Sequence, residues 1–134
     1  MSPDGSKVYV ANQAGSTVSV INAAVDTVLA TIAVGTYPFG VSVSPDGNKV
    51  YVANYEDGTV SVINTAVDTV LATITVASGP FGISVSPDGS KVYVANYGYG
   101  ANTVRVINTA TNTVSATITV GNYPTGISSE PRWK

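Results

Sequence analysis

Short apolar stretches recur along the chain, separated by clusters of turn-forming residues. "KVYVAN" (49–54) is apolar at four successive positions, Val50, Tyr51, Val52 and Ala53. An apolar run that short, rich in β-branched and aromatic residues, predicts a strand buried on both faces. "TVLATITV" (69–76) alternates instead. It places Val70, Ala72, Ile74 and Val76 on one face and Leu71, Thr73 and Thr75 on the other. That pattern predicts a half-exposed strand at an outer rim. "PFGVSV" (38–43) and "TVSVIN" (59–64) complete a set of four strands. Ser44-Pro45-Asp46-Gly47 is a tight turn, with Pro suited to its second position and Gly to a left-handed closing position. "TAVD" (65–68) turns into the fourth strand.

The set repeats. "SPDG" begins at Ser2, Ser44 and Ser86, a period of 42 residues. Residues 2–43 and 44–85 are identical at 31 of 42 positions. The third unit is two residues longer, because "YGYGAN" (97–102) replaces the four-residue "QAGS" (13–16) and "YEDG" (55–58). Four strands per unit of roughly 40–45 residues predict an all-β fold, a β-propeller of four-stranded antiparallel blades. A β-solenoid is the alternative, but its coils are shorter and lack three hairpin turns per repeat. The small residues Gly40, Ser42, Gly82 and Ser84 of the first strands suit the axis, where blades converge.

The phrases "SPDGNKVYVAN", "TVSVINTAVDTVLATITV" and "YPFGVSV" resemble the YVTN β-propeller repeat family, over residues 2–128. The name-giving tetrad reads Tyr-Val-Ala-Asn at 9–12, 51–54 and 93–96, with Ala where the family often has Thr. The resemblance implies a seven-bladed ring and a place at the cell surface or outside the cell, since members include surface-layer and other envelope proteins. Three units depart from that blade number. No signal peptide follows Met1.

The expected organisation is three units near 2–43, 44–85 and 86–128, with a tail at 129–134. Three blades are too few to close a ring. The sequence starts at the turn before strand two of its first blade, and "YPTGIS" (123–128) is an extra copy of an innermost strand. These features predict head-to-tail self-assembly, in which Pro124, Thr125, Gly126 and Ile127 of one copy meet Val8, Tyr9 and Val10 of the next. Two copies give six blades at about 60° each, and three give nine at about 40°. The dimer is favoured because six lies within the usual range, with the trimer as the alternative.

Differences among the units gather in the loop between strands two and three and in the lead-in to the inner strand, "GTYPFG", "ASGPFG" and "GNYPTG". Propeller topology puts both on one face. Tyr37, Tyr55, Tyr97, Tyr99 and Tyr123 fall there, as candidates to stack on a glycan or grip a peptide. The bland reading is that these rings pack between blades with wet hydroxyls. Tyr9, Tyr51 and Tyr93, and also Phe39 and Phe81, are expected to be packing residues. Thr125 breaks the Phe pattern. Glu56 and Asp57 read as a solvated pair rather than a cation site, and Asp4, Asp46 and Asp88 as turn residues.

Composition narrows the chemistry. The chain has 134 residues, neither Cys nor His, 10% charged residues and a net charge of −2. It offers no basic patch for nucleic acid. It has no apolar run long enough to span a bilayer as a helix. Without Cys or His, thiolate and imidazole metal sites and the commonest general base are excluded. No nucleophile elbow or phosphate-binding loop is present. The reading is therefore a non-enzymatic scaffold or binding module with no cofactor, whose partners are itself and a glycan or peptide. The alternative is a piece of a larger propeller enzyme or surface-layer protein with a site at the central opening.

Overall fold

The computed structural model describes residues 1–98 and 100–130. Eleven strands form three sheets and no helix among these residues. The first sheet contains β1 (Lys7–Asn12), β2 (Thr17–Asn22) and β3 (Thr27–Ala33). The second contains β4 (Pro38–Val43), β5 (Lys49–Asn54), β6 (Thr59–Asn64) and β7 (Thr69–Thr75). The third contains β8 (Pro80–Val85), β9 (Lys91–Asn96), β10 (Thr103–Asn108) and β11 (Thr113–Thr119). Each sheet is an antiparallel meander in chain order, β1-β2-β3, β4-β5-β6-β7 and β8-β9-β10-β11. The three sheets are successive propeller blades, as the repeat predicts.

Turn chemistry explains the hairpins. In the second blade the Gly47 amide donates to the Ser44 carbonyl (2.9 Å) and the Ser44 amide to the Lys49 carbonyl (2.9 Å). Gly5, Gly47 and Gly89 all have φ near +75°, which glycine adopts without a Cβ penalty. The Asp46 carboxylate accepts from the Ser44 hydroxyl (2.6 Å) and the Asn48 amide (3.0 Å). Those two donors hold the Asp46 carboxyl below its ordinary value, the Ser44 hydroxyl first. Asp4 is pulled down to about 2, first by the Ser6 amide and then by the Ser2 and Ser6 hydroxyls.

A depressed folded-state pKa contributes stability that is fully present above the unfolded value and is lost as pH falls toward the folded one. Thermal melts should therefore hold steady from pH 7 to about 5 and decline below about pH 4. Asp4→Asn should flatten part of that decline. A slope unchanged by Asp4→Asn would refute the assignment.

The core lies between blades. Val50, Val52 and Ile63 of the second blade pack against Tyr9, Val18, Val20 and Ile32 of the first. Tyr51, Ala53, Val60 and Val62 pack the other way, against Ile83, Val85, Val92 and Val94 of the third. The four apolar positions of β5 thus serve two interfaces, which is why its sequence does not alternate.

One expectation is corrected. Val70 does not share a face with Ala72, Ile74 and Val76. Ile63 pairs with Val70, but Val62 pairs with Ala72, so Leu71 is an extra residue in a bulge. The bulge turns Val70 toward the first blade, while Ala72 packs toward the third. The same shift occurs in the other two blades, between Val20 and Ile21 and between Val106 and Ile107.

The innermost segments converge as their small residues suggest. A Cβ at Gly40 would run into the Phe81 carbonyl, and one at Gly82 into the Thr125 carbonyl. Residues 124–128 therefore lie against β8 as β8 lies against β4. They occupy the place of a third innermost strand, after β4 and β8, although they pair with no strand among the described residues.

Candidate functional site

The variable loops and the inner-strand lead-ins meet on one face, held by backbone hydrogen bonds. The Tyr55 amide donates to the Tyr37 carbonyl (2.9 Å), the Tyr97 amide to the Gly79 carbonyl (2.6 Å) and the Tyr123 amide to the Ala101 carbonyl (3.2 Å). The residue before each proline, Tyr37, Gly79 or Tyr123, has φ between +53° and +73°. Non-glycine residues rarely adopt this left-handed conformation. Here it turns the chain from the rim of one blade to the axis of the next.

Below this face, asparagines tie the strands together, Asn54 and Asn96 buried and Asn12 half-buried. The Asn54 side-chain amide donates to Thr59 Oγ1 (3.1 Å) and Ser61 Oγ (2.8 Å). Asn12 makes the same two bonds to Thr17 and Ser19. In the third blade Arg105 stands where Ser61 stands in the second, and Asn96 instead donates to the Val76 carbonyl (3.1 Å). Asp57 is not simply solvated, contrary to expectation. Its carboxylate accepts from the Thr36 amide (2.9 Å) and clamps the connection between the first two blades. Among the described residues, no three acidic side chains group to hold a metal ion.

On this support the aromatic side chains form one connected array. Phe39 and Phe81 stack, with ring centroids 4.4 Å apart and 23° between planes. Tyr55 meets Phe39 edge-on at 5.5 Å. Tyr97 lies 5.5 Å from Phe81 and 5.4 Å from Tyr123. Spacings and tilts of this kind are favourable for aromatic pairs. Phe39, Phe81, Tyr55 and Tyr97 are half-buried, and Tyr123 is 48% exposed.

Three of the five tyrosines singled out by sequence therefore come together: Tyr55, Tyr97 and Tyr123. Tyr37 is exposed and meets none of these rings among the described residues; Gln13 stands in the first-blade loop where Tyr55 and Tyr97 stand in the other two. Tyr99 lies outside the described residues. Phe39 and Phe81, expected to be packing, link the array across the blades. Their sequence signal was their place beside the small residues of the inner strand, where a large side chain has only the mouth of the axis to fill.

On the opposite face, each gap between blades leaves a groove beside the strand-two tyrosine. A groove of about 310 Å³ lies between the first and second blades, by Tyr9 and Lys7. Another of about 360 Å³ lies between the second and third, by Tyr51 and Lys49. A third, of about 440 Å³, is bounded by Tyr93 and Lys91 on one side and residues 127–130 on the other. Burial raises the hydroxyl pKa of Tyr9 and Tyr51, so both stay protonated at neutral pH.

Known structures share this architecture. Hydrazine synthase of Kuenenia stuttgartiensis superposes with a TM-score of 0.91 at 36% identity, over 94% of this chain and 36% of that one. U3-55K superposes with a TM-score of 0.80 at 16% identity, over 90% of this chain and 38% of that one, a likeness of fold alone. The chain thus spans little more than a third of either matched structure. No curated protein matches it in sequence. The likeness to surface-layer repeat proteins gains no support from these relatives. Residues 2–97 match the YNCE-like beta-propeller family, and the chain belongs to it.

Proposed function

We propose that the chain is a non-catalytic propeller scaffold whose loop face binds an extended ligand, a glycan or a peptide, and whose blades assemble head to tail into a ring. The observation that carries the binding reading is the connected array of Phe39, Tyr55, Phe81, Tyr97 and Tyr123. A uniform scaffold under variable loops is a common way to build a binding face. Flat rings side by side suit the apolar faces of sugars or of peptide side chains, and the tyrosine hydroxyls add hydrogen bonds.

Oligosaccharide and peptide arrays, followed by calorimetry, test this reading. Each ring contact of this type contributes about 0.5–1.5 kcal/mol beyond its buried area, so Tyr97→Ala should weaken binding about two- to tenfold. Tyr37→Ala, outside the array, should change it less. Equal losses at Tyr37 and Tyr97 would refute the array as the contact surface.

A second reading has these blades as part of a larger propeller enzyme with a site at the central opening. It is favoured by 36% identity to part of a hydrazine synthase. Turnover of an ester, lactone or amine substrate by this chain would establish that reading and displace the first.

A further inference from the structure

Two open surfaces of the molecule carry the same positions that meet at its internal blade contacts. We infer that a second copy of this chain docks on the open face of the third blade, its β1 pairing with residues 124–129. The reciprocal contact then closes a six-bladed ring of two chains.

Strand edges are the first support. β1 pairs only with β2, leaving its inner edge without a partner among the described residues. The β5 and β9 edges at this position are taken by β4 and β8. Residues 124–128 follow β8 in the inner circle but pair with no strand among the described residues. The internal registers are identical: Val41 faces Val52, Ser42 faces Tyr51, and Val43 faces Val50 in one blade. Ile83, Ser84 and Val85 face Val94, Tyr93 and Val92 in the next. The same register sets Ile127 against Val10 of the second copy, Ser128 against Tyr9 and Ser129 against Val8. Unpaired edges are templates for strand addition.

Side-chain burial is the second support. Val10 is 39% exposed, whereas Val52 and Val94, at the same place in the other blades, are fully buried. On the far face Ile118 is 44% exposed, while Ile32 and Ile74 are at 5% and 6%. The bare residues of the first blade are thus those that β5 and β9 bury against a preceding blade. The bare residues of the third are those that the first two bury against a following one.

The groove beside Tyr93 is the third support. Its two counterparts are walled by the turn of the following blade, with Asp46 and Gly47 beside Tyr9, and Asp88 and Gly89 beside Tyr51. Pro3 and Pro45 rest on those glycines, at 3.4 Å and 3.6 Å from the position of a Cβ. Pro87 and Gly5 have the same places in their own turns, and nothing lies within 4 Å of a Cβ at Gly5. Docking brings Gly5 of the second copy onto Pro87 and supplies the wall that the groove beside Tyr93 lacks.

The solution mass of the chain is the first measurement. About 27 kDa, twice the 13.6 kDa of one chain, is expected. A 13.6 kDa species overturns the docking, leaving these faces to blades from elsewhere, and about 41 kDa overturns closure at six. Val10→Lys places a charge at an already exposed site, so it should fold and run as a monomer. The register is tested with the cysteine-free chain. Val10→Cys with Ile127→Cys should give a covalent dimer under mild oxidation, while either change alone should not. Cross-linking by either cysteine alone would mean a symmetric contact and refute the head-to-tail joint. The joint rests on the scaffold reading, yet the two can fail separately. A 27 kDa ring that binds no glycan or peptide refutes only the binding face, and a monomer that binds refutes only the joint.

Discussion

Replacing Tyr51 with alanine is expected to cost about 3–5 kcal/mol, the range for removing a large buried aromatic side chain. Tyr51 is 1% exposed and sits in the cluster that joins the second and third blades. Its phenol ring fills space on one side of β5, so truncation leaves a cavity that two rigid sheets cannot easily collapse. Tyr93 has the same place in the next repeat but is only half-buried, because the following blade contributes only residues 124–130 there. Tyr93→Ala should therefore cost about half as much in dilute solution. If copies cover that face, its cost should rise with protein concentration, since association adds to the stability of whatever binds. The Tyr51 cost should not. Urea denaturation at several concentrations measures both. Equal, concentration-independent losses at Tyr51 and Tyr93 would contradict this picture of the two faces.

The repeated turn and strand phrases made the blades legible. Ser-Pro-Asp-Gly dictates a local conformation through Pro and Gly, and no distant residue is needed for it. Lys-Val-Tyr-Val-Ala-Asn supplies an apolar strand suited to burial on both sides, but a flanking blade completes that burial: Val52 is fully buried, and Val10, in the same phrase, is 39% exposed. The bulge at Leu71 was not legible. An inserted residue leaves the alternation of "TVLATITV" intact on paper while reversing which face Val70 presents, and only the partner strand reveals it. The aromatic array was half legible. Tyr55, Tyr97 and Tyr123 could be placed on one face from topology. The stacking of Phe39 on Phe81, however, depends on how closely two blades approach at the axis. Asp57 was misread for a similar reason: its partner is the Thr36 amide, 21 residues away on the preceding blade's connection.

That close approach at the axis gives the second large prediction, a graded response of three equivalent glycines. Gly40, Gly82 and Gly126 have the same place in successive inner segments. A Cβ at Gly40 meets the Phe81 carbonyl, which lies in β8 between the paired residues Pro80 and Ile83. Gly40→Ala must push two packed blades apart, and should cost about 1–3 kcal/mol, the range for overfilling a packed site. A Cβ at Gly82 meets the Thr125 carbonyl, on a segment without a strand partner among the described residues, which can yield. Gly82→Ala should cost less than Gly40→Ala. A Cβ at Gly126 meets nothing within 4 Å. In a monomer held apart by Val10→Lys, Gly126→Ala should melt as its parent does. In the assembled chain the Phe39 carbonyl of the second copy takes the place that Phe81 takes over Gly40, so Gly126→Ala should weaken the dimer. Thermal melts give the first comparison and sedimentation equilibrium the second. A Gly126→Ala protein that associates as tightly as the parent would mean that nothing follows residues 124–128 around the axis.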